Sequence, residues 1–353
     1  MNMYRALPAQ KHVLFILRSL RRGGTEKCTI ELAKALSSQG YIVHLALRES
    51  VYELETPSTI HIHEIGSRKQ ADVQHWLSDF NQAYNPSLVI VTETRIDLHL
   101  PDLEVYYALH IVPSERIDGG WLRQLKKRYQ WRKRLSGKNI IAISKGVYQD
   151  VMKVIKAKPK SICVINNTFD FEGIANAAQC STPYPLPSDY LLYVGRICTT
   201  KRLDRLLRIY RDVSSDLPLV VLGDGDTLPE TKKLAEDMKI ADKVIFLGWQ
   251  SNPYPVINQA NALLLTSDSE SFSAVVVESL FLSTPVISTD CQGPKEIMGS
   301  SLKDFVIPKQ NEAKFARQLQ VALEQGQPDI SKELIKRFGF AAISHQLEQQ
   351  VMA

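Results

Sequence analysis

The chain has 353 residues and a formal net charge of +5, a mild excess that does not by itself indicate nucleic acid. Its hydrophobic fraction of 44% and charged fraction of 23% are typical of a globular protein, and no window reaches the ~18 apolar residues that a bilayer span needs. Five scattered cysteines, without a C-x-x-C pair or a Cys/His cluster, indicate neither a disulfide framework nor a zinc site. We therefore expect a cytoplasmic protein long enough for two domains.

The first half of the chain alternates short apolar runs with helical patterns. A strand is predicted at residues 12–17, a helix at 28–39 and a second strand at 43–47, which together make a βαβ unit. Gly23 and Gly24 precede the helix, where backbone N–H groups can approach a phosphate or a sugar. Further strands are predicted at 87–91, 105–110, 140–143 and 161–165, and His110 ends one of them.

Residues 171–189 differ in composition, with three prolines and no sustained period, which is typical of an interdomain linker. Strand and helix patterns then resume. Strands are predicted at 190–194, 217–222, 243–246, 263–265 and 285–288, and helices at 203–212, 230–238, 311–325 and 331–353. The alternation in both halves predicts an α/β protein with two doubly wound, mainly parallel domains.

Two carboxylates stand out in the stretch 263–296. Glu270 lies in the loop after a predicted strand, and Glu278 lies about one turn into the next helix, for which Ser273 is a candidate N-cap. In open parallel sheets, ligands bind in the crevice at the carboxyl ends of the strands. A carboxylate in such a loop can reach sugar hydroxyls, and one inside the helix can accept hydrogen bonds from a ribose diol.

Two cations follow another strand of the same predicted sheet. Arg196 comes directly after Gly195, and Lys201 lies five residues later, just before a predicted helix. Fixed positive charge beside helix N–H groups suits a diphosphate. Gly248 and Glu296 lie at neighbouring strand ends, so the carboxylates belong to a larger polar set at one edge.

This set of motifs resembles the carboxyl-terminal domain of family 4 retaining glycosyltransferases. The similar segments, in family order, are VGRICTTKRLDRLL, VVLGDGD, VIFLGW, the E-x7-E pair ESFSAVVVE, and PVISTDCQGPKEI. The first half agrees more loosely through RRGGTE, ALH, AISKGV and VINNTFD. The resemblance implies the GT-B fold, in which two Rossmann-like doubly wound domains face each other across a cleft.

The resemblance also implies domain limits. We expect an acceptor-side domain at residues 1–170, a linker at 171–189 and a nucleotide-sugar domain at 190–335. A final helix at about 336–353 is expected to pack back on the first domain.

Site roles follow from the same resemblance. It implies that Arg196 and Lys201 hold the nucleotide diphosphate, that Glu278 binds the ribose and that Glu270 binds the transferred sugar. The other implied donor-binding residues are Gly23, Gly24, Gly195, Gly248, Trp249, Ser273, Gly293 and Glu296. His110 is expected to contact the transferred sugar or the acceptor, and it joins Glu270, Arg196 and Lys201 as the catalytic set. Ser271 and Pro294 stand where the family usually has glycine, which leaves the choice of donor open.

The implied activity is retaining transfer of a hexose or an N-acetylhexosamine from a nucleotide-diphosphate sugar, with a UDP-sugar favoured. The expected acceptor is a growing glycan, lipid-linked as in lipooligosaccharide, lipopolysaccharide or capsule. Neither a metal nor a cofactor beyond the donor is expected, because Arg196, Lys201 and helix dipoles can stabilise the charge of the departing diphosphate.

Three alternatives are weaker. Asp224-Gly225-Asp226 has the D-x-D form of metal-dependent glycosyltransferases, but a two-domain pattern favours a glycine-rich turn. A dinucleotide dehydrogenase needs G-x-G-x-x-G, and Leu228 stands at the third position. A non-catalytic sugar-nucleotide-binding subunit stays open, although the charged set is intact.

Residues 121–138 form a basic segment with eight Lys or Arg, no acid and interleaved aromatics. This pattern suits anionic lipid headgroups, and equally a solvated helix with ordinary core contacts. Nucleic acid is not expected, because no known binding module accompanies the patch. Peripheral association with the inner face of the cytoplasmic membrane is the interpretation that fits a lipid-linked acceptor.

Overall fold

The computed structural model describes residues 11–213 and 216–352, which divide into two compact units. The first unit comprises Met1–Phe169 together with Phe338–Ala353, and the second comprises Asp170–Arg337. Each unit is built around one parallel β-sheet with helices on its faces.

The first unit contains a seven-stranded sheet in the order β3-β2-β1-β4-β5-β6-β7, with every neighbouring pair parallel. Its strands are β1 (His12–Leu17), β2 (Ile42–Leu47), β3 (Ile60–Glu64), β4 (Leu88–Val91), β5 (Val105–Leu109), β6 (Asn139–Ala142) and β7 (Ser161–Val164).

The second unit contains a six-stranded parallel sheet in the order β10-β9-β8-β11-β12-β13. Its strands are β8 (Leu191–Val194), β9 (Leu219–Leu222), β10 (Val244–Gly248), β11 (Ala262–Leu265), β12 (Val286–Thr289) and β13 (Val306–Ile307). The chain runs outward from β8 in one direction and returns to β11 on its other side. The carboxyl ends of β8 and β11 therefore form the topological switch point of this sheet.

Helices connect most of the strands in the described residues. They are α1 (Gly24–Ser38), α2 (Gln70–Tyr84), α3 (Trp121–Leu135), α4 (Lys145–Gln149), α5 (Phe171–Ala178), α6 (Leu203–Asp212), α7 (Leu228–Asp237), α8 (Tyr254–Asn258), α9 (Ala274–Phe281), α10 (Gln292–Met298), α11 (Glu312–Gln325), α12 (Ser331–Phe338) and α13 (Phe340–Leu347). Sequence patterning did not predict β3 or α2, and α1 begins at Gly24 where the prediction began it at residue 28.

The first core lies between the sheet and the helices α1 and α13. Val13, Phe15 and Leu17 of β1 point to this side and are at most 1% exposed. Ile343 and Leu347 of α13 belong to the same buried cluster, and the Tyr41 hydroxyl donates to Glu348 Oε1 at 2.7 Å. The chain's final helix is therefore a structural part of the first unit. Sheets buried on both faces need such near-continuous apolar strands.

The predicted linker at residues 171–189 is wrong for its first eight residues, which form α5. The Asp170 side chain caps this helix by accepting a hydrogen bond from the Gly173 N–H at 2.9 Å. Phe171, Ile174 and Ala178 are buried, and the Phe171 ring lies 4.6 Å from that of Phe281. The helix forms because this spacing places three apolar side chains on one face.

Four histidines lie together on the other face of the first sheet. His44 of β2 is 2% exposed, and its ring nitrogens lie 2.9 Å from those of His12 on β1 and His63 on β3. The His61 ring stacks on His44, and Phe80 and Tyr84 of α2 cover the group. Burial, and then the neighbouring His63, lower the pKa of His44 to about 4; burial also lowers that of His63.

We predict that acid destabilises the first unit through this cluster. A folded-state pKa below the unfolded value means that the unfolded chain binds more protons between pH 6.5 and 4, so stability falls as pH falls through that range. A shift from 6.5 to about 4 predicts a loss of about 2 kcal/mol between pH 7.5 and pH 5. Urea unfolding at the two pH values measures this loss of unfolding free energy.

His44→Phe should flatten the dependence of stability on pH, whereas His75→Gln, at a side chain 82% exposed, should not. An unchanged dependence in His44→Phe would contradict the assignment.

Candidate active site

A lysine and a glutamate meet at the switch point of the second sheet. Lys201 lies in the short 3-10 turn after β8, and Glu270 lies in the loop after β11. Lys201 Nζ donates to Glu270 Oε1 at 2.6 Å, and the Ser267 hydroxyl donates to the same oxygen at 2.8 Å. Two residues that the sequence placed at separate strand ends are thus in direct contact.

This ion pair is largely buried at the carboxyl edge of the second sheet. Glu270 is 7% exposed, whereas the Lys201 side chain retains 27% of its exposure. A lysine ammonium has three N–H donors, of which the Glu270 contact uses one. The pair can therefore present positive charge to a ligand while its carboxylate stays fixed.

The Arg196 side chain pairs with a different carboxylate from that of Lys201. Its guanidinium lies 3.3 Å from Asp226 Oδ1, and both side chains are well exposed, at 71% and 66%. The turn that carries it is fixed by the buried Tyr193, whose hydroxyl donates to the Arg196 carbonyl at 3.0 Å. Exposed ion pairs contribute little stability, so the Arg196 side chain can change partner at low cost.

A network that sequence reasoning missed braces both loops. Arg202 is held in the left-handed region at φ 52°, and its guanidinium donates to Asp268 Oδ2 at 3.0 Å. Arg205 donates to Asp268 Oδ1 and to the Thr266 carbonyl, each at 2.7 Å. Burial would raise the pKa of Asp268, but the hydrogen bonds from Arg205 and Arg202 lower it. The adjacent Lys201 and Glu270 are therefore tied to one rigid frame.

Ser273 precedes α9 as predicted, but it does not cap the helix with its side chain. Its backbone is left-handed (φ 83°, ψ 81°), and the hydroxyl makes no capping hydrogen bond. The oxygen is buried without a hydrogen-bond partner among the described residues. A left-handed backbone directs the side chain away from the first N–H groups of the helix, which is why the predicted cap fails. Five residues later, Glu278 is 3% exposed, with Tyr254 Oη 3.4 Å from its Oε1.

Close packing requires glycine at position 293. A Cβ on this residue would lie 2.1 Å from the Phe272 carbonyl oxygen, far inside van der Waals contact. The Gly293 N–H donates to the Glu270 carbonyl at 2.9 Å. The start of α10 therefore grips the Glu270 loop, and Glu296 follows within the same helix, half-buried.

The turn Asp224-Gly225-Asp226 after β9 packs directly on the Arg196 turn. A Cβ on Gly225 would lie 2.1 Å from the Ile197 carbonyl oxygen, and the Ile197 N–H donates to the Asp224 carbonyl at 2.9 Å. Beyond it, Gly248 ends β10 with φ 70°, and Trp249 follows with its residue 40% exposed.

The predicted residues of the first unit lie at the carboxyl ends of its strands. Gly23 and Gly24 adjoin the start of α1, and His110 follows β5. Burial lowers the pKa of His110 to about 4, so its imidazole is neutral at pH 7. His110 lines a small cavity with Thr92 and Asn166.

Across residues 11–213 and 216–352, no cluster of three or more His, Cys, Asp or Glu side chains has a metal-binding arrangement. Within the same residues, no helix is both long enough and apolar enough to cross a bilayer.

Comparison with known proteins finds a family match over most of the second unit. Residues 181–342 match the family described as glycosyl transferases group 1. The chain is 31% identical over 186 residues to the Campylobacter jejuni N-acetylgalactosamine-N,N'-diacetylbacillosaminyl-diphospho-undecaprenol 4-alpha-N-acetylgalactosaminyltransferase, covering 52% of this chain and 50% of the relative. It is 31% identical over 165 residues to the Escherichia coli lipopolysaccharide 1,6-galactosyltransferase, covering 45% of each. The chain thus spans about half the length of these relatives.

Solved structures resemble nearly the whole chain. Anabaena HepE in complex with UDP-glucose has a TM-score of 0.75 at 15% identity, covering 96% of this chain and 99% of that one. The lipopolysaccharide outer core galactosyltransferase WaaB has a TM-score of 0.69 at 19% identity, covering 96% and 100%. These likenesses confirm the predicted fold class, two Rossmann-like domains of the GT-B type. Residues 181–342, a little under half of the chain, are thus similar to the glycosyl transferases group 1 family.

Proposed function

We propose that the protein is a retaining glycosyltransferase that moves a hexose or an N-acetylhexosamine from a nucleotide-diphosphate sugar to a growing glycan. The observation that carries this proposal is the Lys201–Glu270 pair, braced at the switch point of a group 1 glycosyl transferase domain. Such an edge is where open parallel sheets bind nucleotides.

In the proposed complex, Lys201 and Arg196 hold the diphosphate of the donor. The leaving nucleoside diphosphate gains negative charge in the transition state, and preorganised cations stabilise it there more than in the ground state. Two cations and the N-terminus of α9 can supply this stabilisation without a metal ion, so we propose a metal-independent reaction. Lys201 and Ser267 fix the Glu270 carboxylate by donating hydrogen bonds to its Oε1. In this proposal, the carboxylate accepts hydrogen bonds from sugar hydroxyls.

The rest of the donor lies along the same edge in this proposal. Glu278 binds the ribose diol, and backbone at Gly248 and Trp249 meets the base. Backbone of Gly195, Ser273, Gly293 and Glu296 lines the diphosphate and sugar. The structure of HepE with UDP-glucose supports UDP as the first nucleotide to test.

In the first unit, we propose that Gly23 and Gly24 approach the donor phosphate and that His110 contacts the transferred sugar or the acceptor. The low pKa of His110 supports a neutral imidazole, which can accept or donate one hydrogen bond at pH 7. Retention of the anomeric configuration fits front-face attack, in which a donor phosphate oxygen assists deprotonation of the acceptor hydroxyl.

A nucleotide-sugar panel tests the proposal. Saturation at about 100 times the dissociation constant should stabilise the protein by about 2.7 kcal/mol, which a thermal shift detects. We expect stabilisation by at least one UDP-sugar and its transfer or slow hydrolysis. Stabilisation without any turnover would instead support a non-catalytic sugar-nucleotide-binding subunit.

We further propose a lipid-linked acceptor, reached from the inner face of the cytoplasmic membrane. The Campylobacter relative acts on a diphospho-undecaprenol-linked sugar, and the Escherichia coli relative acts on lipopolysaccharide. Both acceptors are amphiphilic, so an enzyme of this kind benefits from contact with the lipid surface.

Helix α3 supports that contact. Trp121, Leu122, Leu125 and Tyr129 are 71%, 64%, 55% and 67% exposed, and at 3.6 residues per turn they fall within about 100° of the helix circumference. Lys126 and Lys133 are exposed beside this stripe, and Arg132 is exposed within it. Lys127 turns inward to Asp118, and Lys138 is buried against the Thr94 and Ile96 carbonyls, so neither belongs to the outer face. Exposed aromatics flanked by cations suit the headgroup region of an anionic bilayer.

We predict that Lys126→Gln/Arg132→Gln/Lys133→Gln weakens binding to phosphatidylglycerol vesicles more than tenfold, because each surface cation contributes about 1 kcal/mol. Vesicle sedimentation measures this. Trp121→Ala/Tyr129→Ala should weaken binding as well, and Lys153→Gln/Lys158→Gln, at exposed lysines outside α3, should not. Equal binding by wild type and the triple variant would contradict the membrane role of α3.

A further inference from the structure

Three arginines converge on one carboxylate at the carboxyl edge of the first sheet. The Glu49 carboxylate lies 2.5 Å from Arg18 Nε, 2.7 Å from a terminal nitrogen of Arg68 and 3.9 Å from one of Arg21. Glu49 follows β2, Arg18 and Arg21 follow β1, and Arg68 follows β3. The cluster, which we call the Glu49 arginine cluster, thus joins three loops.

Glu49 organises these cations without neutralising them. Its side chain is 10% exposed, whereas those of Arg18, Arg21 and Arg68 are 52%, 57% and 66% exposed. The hydrogen bond from Arg18 holds the pKa of Glu49 below its usual range, so the carboxylate is ionised. Three guanidiniums carry fifteen N–H donors, about four times what one carboxylate accepts. Most of this donor capacity faces outward.

Other carboxylates on these loops have partners outside the Glu49 arginine cluster. Arg48 pairs with Glu93, and the Glu53 carboxylate accepts from the Arg22 backbone N–H. Glu26 lies in the first turn of α1, and burial raises its pKa. Two further carboxylates on these loops accept from neutral hydroxyls, Glu64 from Ser50 and Tyr52 and Asp72 from Ser67, so Glu49 is the carboxylate that the three arginines share.

The cluster lies on the same sheet edge as His110. In the strand order β2-β1-β4-β5, His110 follows β5 and Arg18 follows β1, two strand intervals apart, which is roughly 10 Å at the usual strand spacing. That separation is about the length of two sugar rings. One acceptor molecule of this length can therefore contact both the arginines and His110.

We propose that the Glu49 arginine cluster binds a phosphate or diphosphate group of the acceptor. This inference rests on the proposed function, because it assigns the first unit to the acceptor. Exposed guanidiniums in fixed orientation match phosphate oxygens bidentately, which a neutral glycan does not require. The phosphate could belong to the glycan or to the diphosphate that joins glycan to lipid, and the chemistry is the same.

The test uses pyrophosphate and the full chain in a background that removes the donor site, Arg196→Gln/Lys201→Gln. Calorimetric titration should show one remaining site. Adding Arg18→Gln/Arg68→Gln should weaken its affinity at least tenfold, and Arg68→Gln alone, at the most exposed of the three, should weaken it severalfold. Lys153→Gln/Lys158→Gln, which removes the same charge elsewhere in the first unit, should leave it unchanged.

Two ligands distinguish the source of the phosphate. A water-soluble isoprenoid diphosphate that displaces pyrophosphate better than a sugar 6-phosphate assigns the site to the lipid linkage, and the reverse order assigns it to the glycan. Unweakened pyrophosphate binding in Arg18→Gln/Arg68→Gln, or absence of any site in the background variant, would overturn the proposal. This binding assay needs no transfer activity, so failure of the proposed glycosyl transfer would be seen separately, as absent turnover.

Discussion

Lys201→Gln is expected to lower kcat/KM for the donor by about 100- to 1,000-fold, the usual effect of removing one preorganised group that stabilises an oxyanion. The loss should fall mainly on kcat, because charge on the leaving diphosphate is greatest in the transition state. Initial-rate kinetics of nucleoside diphosphate release measure it.

Two further variants separate chemistry from stability. Lys201→Gln leaves Glu270, only 7% exposed, without its cation, which should cost about 1–3 kcal/mol of folding stability. Lys201→Gln/Glu270→Gln removes that unpaired charge and should regain stability but not activity. The matched control is Lys243→Gln, since Lys243 lies at the amino end of β10, its Nζ is 3.9 Å from Asp216 Oδ1 and its side chain is 49% exposed. Lys201→Gln activity within threefold of wild type would remove this lysine from the proposed mechanism.

Gly293→Ala is expected to destabilise the second unit by about 2–3 kcal/mol and to weaken donor binding at least tenfold, since an overpacked contact forces backbone to move. The added methyl would sit 2.1 Å from the Phe272 oxygen, so α10 and the Glu270 loop must separate. That movement breaks the hydrogen bond from the Gly293 N–H to the Glu270 carbonyl. Urea unfolding and donor titration measure the two effects.

Gly120→Ala is the matched control for this change. Gly120 has an ordinary backbone conformation (φ −63°), and nothing lies within 4 Å of a Cβ added there. Its alanine variant should keep wild-type stability within about 0.5 kcal/mol, as surface substitutions usually do. A Gly293→Ala protein as stable as Gly120→Ala would show that the Phe272 contact relaxes freely.

Much of the architecture followed from the sequence because buried parallel strands are written as unbroken apolar runs. VLFIL, LVIV and ALLL each coincide with strands buried on both faces. β3 was not predicted because IHIHE has no continuous apolar run, although its alternation of isoleucine with histidine suits a strand at the sheet edge. α5 escaped because the prolines at 183–187 dominated the composition of a segment whose first eight residues are helical.

The contact between Lys201 and Glu270 could be anticipated, since both follow strands of one parallel sheet and such ends share an edge. The arginine network on Asp268 that braces the two loops could not be anticipated. Arg205 and Asp268 are more than sixty residues apart in the chain, and which of many arginines meets which carboxylate depends on packing. The left-handed backbone of Ser273 and the Glu49 arginine cluster could not be predicted either. No local sequence pattern indicates a strained backbone or a contact among three loops.

The most direct test of the account follows the anomeric configuration of the sugar that first leaves the donor. The wild-type protein is incubated with the UDP-sugar that stabilises it most, in EDTA, with water or an added glycan as acceptor, and the initial product is read by proton NMR. We predict that UDP is released and that a donor with an axial anomeric bond gives a product with an axial anomeric bond. The Arg196→Gln/Lys201→Gln variant should lose this turnover. An inverted product, or turnover that chelation abolishes, would contradict the proposed retaining, metal-independent transfer.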